Sequence, residues 1–344
     1  MLSQRELNRA LLARQLLLER ARTPLPKALE RMGGVQAQYA PSMYIGLWSR
    51  VEGFERDQLT RALERRSVVQ GTLMRMTIHL VSKRDYWPFA VAVRKSRREH
   101  WLKTREPSAR EISSAARRVR HAIGDGSMTS AELDAALGDR SGPIAVWRNG
   151  VGLWVDLVRV PPSGTWQRRR ADIYAVAEEW VGQDKVSEAD GLAHLVRRYL
   201  GGFGPASRKD VADYCGVGPT AIDRALSGMK LRWFRAEDGT ELLDLPRAPL
   251  PDPDTAAPVR FLPTWDATLL AHARRTGILP EKHRSKVFNV KTPQSVSTFL
   301  VDGVVAGTWK HEKGSVKLEP FGDLDRSVRR ELKGEAERLA EFHS

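Results

Sequence analysis

The sequence contains one cysteine, Cys215, and no apolar run of transmembrane length. A single thiol excludes an intramolecular disulfide and any zinc site that needs two cysteine ligands. Cys215 lies in a largely apolar helical segment, which is typical of a small core residue. The first residues also lack the apolar centre of a signal peptide. We therefore expect a soluble cytoplasmic protein.

Acidic residues are scarce relative to basic ones. The 344 residues include 56 Lys and Arg but 42 Asp and Glu, a net charge of +14. Short arginine clusters favour a folded surface facing a polyanion, most commonly nucleic acid. The alternatives are an arginine bias of the genome and, for each cluster, a merely solvated face. The residues that we expect to contact DNA phosphates are Arg94, Lys95, Arg97, Arg98, Arg168, Arg169, Arg170, Arg208, Lys209, Arg274, Arg275 and Arg284.

Helical and strand patterns recur in the same order along the first 246 residues. Helices followed by a hairpin are typical of a winged helix, a helix-turn-helix variant. The expected helices are an opening helix that ends near Thr23 and helices at 26–32, 42–51, 56–66, 83–108, 113–123, 129–133, 188–200, 206–214 and 220–229. The expected strands are at 68–73, 76–81, 147–158, 231–234 and 241–245.

The C-terminal part has a different pattern. Five prolines from Pro246 to Pro258 indicate a linker. Beyond it, strand patterns flank Asp302-Gly303, a strong hairpin signal, and a helix is expected at 325–342. We predict an α+β protein with three tandem winged-helix modules and a C-terminal β-barrel-like module. The predicted domains are 1–108, 109–186, 187–246 and 247–344, the last including the linker.

The segment Gly33 to Pro41 contains two glutamines, Gln36 and Gln38, between residues that break helices. In an extended segment, positions i and i+2 point the same way, so both carboxamides should face one small volume. Each carboxamide can donate and accept hydrogen bonds. The alternative is that the two side chains cap neighbouring helices or face water.

The chain resembles the winged-helix family of bacterial DNA glycosylases typified by AlkZ and YcaQ. The segments that carry the resemblance are 34–38, 77–82, 262–266 with Leu269-Leu270, and 299–309. The resemblance implies winged helices and a β-barrel around a basic channel, with a catalytic Gln-x-Gln motif. YcaQ-type members typically have Asp where this chain has Gln38, which favours the AlkZ branch. That branch excises bulky alkylguanines and unhooks interstrand crosslinks, in several cases as self-resistance to an antibiotic.

The resemblance implies that Gln36 and Gln38 are the catalytic residues of a monofunctional DNA glycosylase. Asp266 and His79 are candidate supporting residues, although structural hydrogen bonding or packing would explain them as well. We expect no cofactor and no metal; His272, His283 and His311 lack metal-ligand spacing. We expect a monomeric, nucleoid-associated protein. Its expected partner is double-stranded DNA with alkylated bases. A winged-helix transcription regulator and a non-enzymatic lesion-binding protein are the alternatives.

Overall fold

The computed structural model describes residues 1–105, 107–138, 142–183, 185–273, 277–288 and 295–344. The first elements are α1 (Gln4–Arg14), α2 (Leu25–Met32), β1 (Val35–Gln36), α3 (Ala40–Trp48), α4 (Arg56–Glu64), β2 (Val68–Thr72), β3 (Ile78–Ser82) and α5 (Lys83–Thr104). The predicted β2–β3 hairpin is confirmed, with Val69 opposite Val81. The predicted extent of the opening helix is wrong. It ends at Arg14, and Leu16 has a left-handed φ of 59° that a right-handed helix does not contain.

The next elements are α6 (Ala109–Ile123), β4 (Met128–Thr129), α7 (Ser130–Leu137), α8 (Ile144–Trp154), β5 (Leu157–Arg159), β6 (Ile173–Val176), α9 (Ala177–Trp180), α10 (Glu188–Phe203), α11 (Arg208–Cys215), α12 (Pro219–Ser227), β7 (Arg232–Arg235) and β8 (Glu241–Asp244). Thr129 caps α7 as predicted. The strand predicted over 147–158 is mostly helix α8. Trp147 and Val151, four residues apart, are both buried on one helical face.

The C-terminal elements are β9 (Arg260–Leu262), α13 (Arg284–Val287), β10 (Thr298–Val301), β11 (Val304–Glu312), β12 (Ser315–Pro320) and α14 (Arg326–His343). The hairpin at Asp302-Gly303 is confirmed, because Val301 pairs with Val304. The β-barrel-like expectation is wrong: the strands form an open antiparallel sheet in the order β12-β11-β10-β9. Small barrels need roughly five to eight strands to close. Here α14 covers the sheet, and its Leu332 and Leu339 share a core with Trp309.

Strands from residues 35–82 and from residues 128–176 form a common six-stranded sheet, in the order β1-β3-β2-β5-β6-β4. Gly71 of β2 pairs with Val158 of β5, which joins strands from either side of the predicted boundary at residue 108. Strands β7 and β8 form a separate two-stranded sheet. The division into three winged-helix modules stays a prediction.

Buried apolar side chains of the described residues form three clusters. One combines α1, α5, α10 and α11, and another combines α6–α8 with β5. The remaining cluster packs α2–α4 against β9–β11 and α14, and it includes Ala37, which lies between the two glutamines. The glutamine segment is thus held between the N-terminal helices and the C-terminal sheet. Within the described ranges, no helix has both the length and the apolar character that a membrane crossing requires.

Candidate active site

Two consecutive glycines position the strand that carries Gln36. Gly33 ends α2 with a φ of 78°, and Gly34 follows with a φ of 83°. A Cβ atom on Gly34 would lie 2.9 Å from Cγ1 of Val81, closer than such atoms pack. The glycines let the chain turn directly from α2 into β1. Strand β1 then pairs with β3, with Gln36 opposite His79.

The side chains of Gln36 and Gln38 contact each other, as the i, i+2 spacing predicts. Nε2 of Gln36 donates a hydrogen bond to Oε1 of Gln38. Gln36 is buried, whereas Gln38 is exposed beside Tyr39. One carboxamide is therefore fixed by the surrounding protein, while the other is accessible to a DNA strand. The convergence of the two amides is confirmed, and their catalytic role stays a prediction.

Arg75 fixes the buried amide from another direction. Its Nη2 lies 3.4 Å from Oε1 of Gln36, and its guanidinium lies over the Tyr214 ring at 4.8 Å. The backbone of Arg75 has a φ of 51°, which for a non-glycine residue costs about 1–3 kcal/mol. The loop between β2 and β3 and helix α11 therefore jointly orient Gln36. Each amide oxygen has two lone pairs, so both oxygens can still accept from a water molecule.

A cavity of about 150 Å³ lies beside Gln38. Its charged lining consists of Arg97, Arg148 and Arg159, and we call it the arginine cavity. Burial lowers the pKa of Arg97 to about 10, which leaves the guanidinium charged at neutral pH. Among the described residues, no group of three or more His, Cys, Asp or Glu side chains could hold a metal ion. The chemistry that this cavity offers is the binding of an anion.

His79 lies opposite Gln36 in the paired strands and is held neutral. It is buried, and its Nδ1 lies 3.1 Å from the carbonyl oxygen of Thr77, which can only accept a hydrogen bond. Burial, reinforced by the nearby charge of Arg75, lowers the pKa of His79 to about 3. The imidazole is therefore neutral at physiological pH, with its hydrogen on Nδ1. It supports the strand and does not exchange protons near neutral pH.

We expect acid to destabilise the fold partly through His79. The unfolded imidazole titrates near 6.5, while the folded one stays neutral down to about 3. Between these values the unfolded state binds more protons, so the free energy of unfolding falls as the pH falls. Through this one group, the free energy of unfolding can fall by at most about 1.4 kcal/mol per pH unit. Chemical denaturation at pH 7 and pH 4 measures this loss. His79→Asn should be less stable at pH 7 but lose less on acidification; equal losses would contradict the assignment.

Asp266 is part of a buried ion pair. Its Oδ1 lies 2.9 Å from Nη2 of Arg50, and both side chains are almost fully buried. The same oxygen accepts hydrogen bonds from the backbone N and the hydroxyl of Thr268, capping the short 3₁₀ helix Ala267–Leu269. These contacts link β9 and its loop to helix α3. Within the described part of the chain, none of its hydrogen bonds reaches Gln36 or Gln38.

We expect Asp266→Ala to destabilise the protein by about 3–5 kcal/mol, because Arg50 would be left as a buried unpaired charge. The rate of the chemical step per folded molecule should stay near that of the parent. Denaturant unfolding and active-site titration together measure the two quantities. A folded Asp266→Ala protein with parental stability and a strongly reduced rate would instead place Asp266 in the chemistry.

The basic residues predicted to contact DNA have different environments. Arg94 pairs with Asp156 at 2.7 Å, Arg98 donates to the carbonyl oxygen of Leu153, and Arg97 is buried. Of these three, Arg97 lines the arginine cavity. The exposed members are Lys95, Arg168, Arg169, Arg170, Arg208, Lys209 and Arg284. Arg274 and Arg275 lie outside the described residues.

Arg169 is the exposed member that lies beside the glutamine segment. Its Nη1 donates to the hydroxyl oxygen of Tyr39 at 3.3 Å, one residue beyond Gln38. Arg208, Lys209 and Arg284 instead form ion pairs with acidic neighbours. The structure therefore brings Gln36, Gln38 and Arg97 to one place, and Arg169 reaches the residue that follows Gln38.

Sequence analysis did not identify three further residues of this site, namely Arg75, Arg148 and Arg159. Each is an isolated arginine outside the clusters, and the pairing of β5 with β2 brings Arg159 opposite Gln70. Only Arg75 carries a signal, because it lies between two predicted strands at the tip of a hairpin that ends in the 77–82 motif.

Comparison with known proteins identifies the family and the fold. The sequence model of the family described as DNA glycosylase AlkZ-like matches residues 29–342, which include the glutamine pair and the arginine cavity. The Streptomyces sahachiroi DNA glycosylase AlkZ has the same fold, with a TM-score of 0.83 and 19% identity over 99% of this chain and 97% of that chain. No curated protein matches by sequence. The family match covers most of the chain, and the chain therefore belongs to the AlkZ-like DNA glycosylase family.

Proposed function

We propose that the protein hydrolyses the N-glycosidic bond of N7-alkylated purines in duplex DNA, acting as a monomer. The observation that carries this proposal is the pair of hydrogen-bonded carboxamides, with Gln36 fixed by Arg75 and Gln38 exposed. Family membership supports the reaction class. The chemistry of the pair supports the choice of substrate.

Glutamine does not titrate near neutral pH, so neither side chain can protonate a departing base. A purine alkylated at N7 is already cationic, and it leaves as a neutral base without a general acid. The amide oxygens can orient a water molecule and direct partial negative charge towards the developing sugar cation. Such oriented dipoles contribute a few kcal/mol. An unmodified purine is neutral, so the amide dipoles alone are insufficient to release it, and it should resist cleavage.

The charge of the base is the variable that tests the substrate assignment. We expect release of base from a duplex containing one N7-methylguanine or one bulky N7-alkylguanine. A duplex with O6-alkylguanine, which is neutral, should yield no base under the same conditions. Chromatographic detection of the free base measures both. Release of the neutral lesion at a comparable rate would contradict the proposed mechanism.

The product should be an intact strand with an abasic site. None of the described residues that bond the glutamine pair or line the arginine cavity is a lysine, so the site offers no amine for a Schiff base with the sugar.

An interstrand crosslink between two guanine N7 atoms presents a cationic base on each strand. Release of one of them would unhook the crosslink, which is the reaction that self-resistance to a crosslinking antibiotic requires.

We expect the single-turnover rate of base release, corrected for spontaneous depurination, to vary by less than about threefold between pH 6 and 9. A bell-shaped profile requires an acid and a base that titrate in this range. His79 has a pKa of about 3 and Arg97 of about 10, so each stays predominantly in one protonation state over this range. Rates measured across this range at constant ionic strength test the expectation. A bell-shaped profile would show that a titrating group performs the chemistry.

A further inference from the structure

The arginine cavity contains cationic groups that the fold itself does not neutralise. Arg97 donates from Nη1 to the carbonyl oxygen of Thr72 at 2.7 Å, and Arg159 donates from Nη1 to the hydroxyl of Thr72 at 2.9 Å. The Nε atoms of Arg97 and Arg159 are buried without a hydrogen-bond acceptor, whereas Nε of Arg148 lies 3.0 Å from Oδ1 of Asp134. Three guanidinium groups therefore line one small volume.

The charge balance in the cavity favours the binding of an anion. Arg148 lies 3.0 Å from Asp134, whereas neither Arg97 nor Arg159 forms an ion pair within the described ranges. The nearby carboxylate of Asp156 is bound by Arg94 at 2.7 Å. Buried charges are normally paired, because desolvation without a partner is costly. A bound anion would balance the charge of Arg97 and Arg159.

The size and polarity of the cavity suit a phosphate group. Its volume of about 150 Å³ exceeds the ~10–15 Å³ that a site for one water molecule needs on the same measure. Guanidinium groups form paired hydrogen bonds with phosphate oxygens, a geometry that lysine does not reproduce. A cationic N7-alkylated base would instead be repelled by the three arginines. The occupant that fits is an oxyanion adjacent to Gln38.

We propose that the arginine cavity binds one backbone phosphate of the lesion-bearing strand. Arg97, Arg148 and Arg159 are then positioning residues, which fix the register of the strand so that the glycosidic bond lies against Gln38. Phosphate contacts set orientation and register on DNA without reading the sequence. The identity of the strand rests on the proposed function. The phosphate site itself does not, because it requires only DNA binding.

The test is a neutral-phosphate scan on undamaged duplex DNA. Single methylphosphonate linkages are placed at successive positions, and the Kd of each duplex is measured for the parent and for Arg159→Gln. In the parent, neutralising the phosphate that enters the cavity should weaken binding by about tenfold or more, as for a charge-assisted hydrogen bond. In Arg159→Gln the penalty at that position should largely disappear, while the penalties at other positions stay.

The matched control is Arg330→Gln, which removes one exposed charge from α14 and should keep the parental scan. If Arg159→Gln does not fold, as thermal unfolding would show, the half-buried Arg148 gives the same test through Arg148→Gln. If the folded cavity variant gives the same scan as the parent at every position, the proposal is overturned. A parental scan with no dominant position would overturn it as well.

A second arm links the site to catalysis. On a duplex with one N7-methylguanine, the methylphosphonate that weakens binding most should also slow single-turnover base release in the parent. If the parent releases base but the parent and the cavity variant give the same scan, the phosphate site is wrong and the proposed function stands. A cavity-dependent scan without base release from any duplex would overturn the proposed function and support the phosphate site.

Discussion

Replacing both Gln36 and Gln38 with alanine is expected to slow base release from an N7-alkylated duplex by about a hundredfold or more. The affinity for that duplex and the fold should change little. The two amides act mainly on the transition state, and loss of such an interaction lowers the rate rather than the binding. Single-turnover rates, Kd values and thermal unfolding of the parent and the double variant measure the three quantities.

The single variants show whether the amides act together. Gln36 donates directly to Gln38, so removing either one disturbs the other, and the two losses should be less than additive. Gln58→Ala, which removes an exposed glutamine from α4, is the matched control and should keep the parental rate. If the double variant releases base as fast as the parent, the pair is structural and the proposed mechanism fails.

Affinity for undamaged duplex DNA is expected to fall about 10³–10⁵-fold between 50 and 200 mM salt, if six to ten phosphates are contacted. The net charge of +14 and the exposed arginines motivate this expectation. Each neutralised phosphate contributes roughly −0.9 to the slope of log K against log salt concentration. Fluorescence anisotropy with a labelled duplex across this salt range measures the slope.

The loop 168–170 is the most direct place to alter that slope. Arg169 bonds to the hydroxyl of Tyr39, the residue after Gln38, and we therefore expect this loop to contact DNA that reaches the glutamine pair. Arg169→Gln should reduce the slope by about one and weaken all sequences equally, while Arg330→Gln serves as the matched control for lost charge. Tight selection of one sequence would instead support a transcription regulator, and affinity that is independent of salt would contradict the phosphate contacts.

Local sequence signals predicted the elements that depend on neighbouring residues. The turn residues Asp302-Gly303 predicted the β10–β11 hairpin, and the spacing of Gln36 and Gln38 predicted the contact between their carboxamides. Both features depend on backbone preferences over fewer than six residues. A short apolar run is less informative, because Trp147 to Leu153 satisfies both helical and strand patterns.

Long-range pairing decides the parts that the sequence alone did not show. The arginine cavity exists because β5 pairs with β2 and brings Arg159 to Thr72, residues 87 positions apart. Whether the C-terminal strands close into a barrel or stay an open sheet likewise depends on strand number and on the docking of α14, which no local pattern encodes. Asp266 looked like a candidate for catalysis in its motif, whereas its contacts with Arg50 emerge only from packing.

The measurement that tests the central claim most directly is base release by the unaltered protein. A duplex with one N7-methylguanine is incubated with excess protein, and the free base and the abasic strand are identified by mass spectrometry. We expect free N7-methylguanine in equal amount to abasic strands, with the backbone unbroken. Tight binding of the alkylated duplex without release of any base would contradict the claim, and the protein would then be a lesion-binding protein.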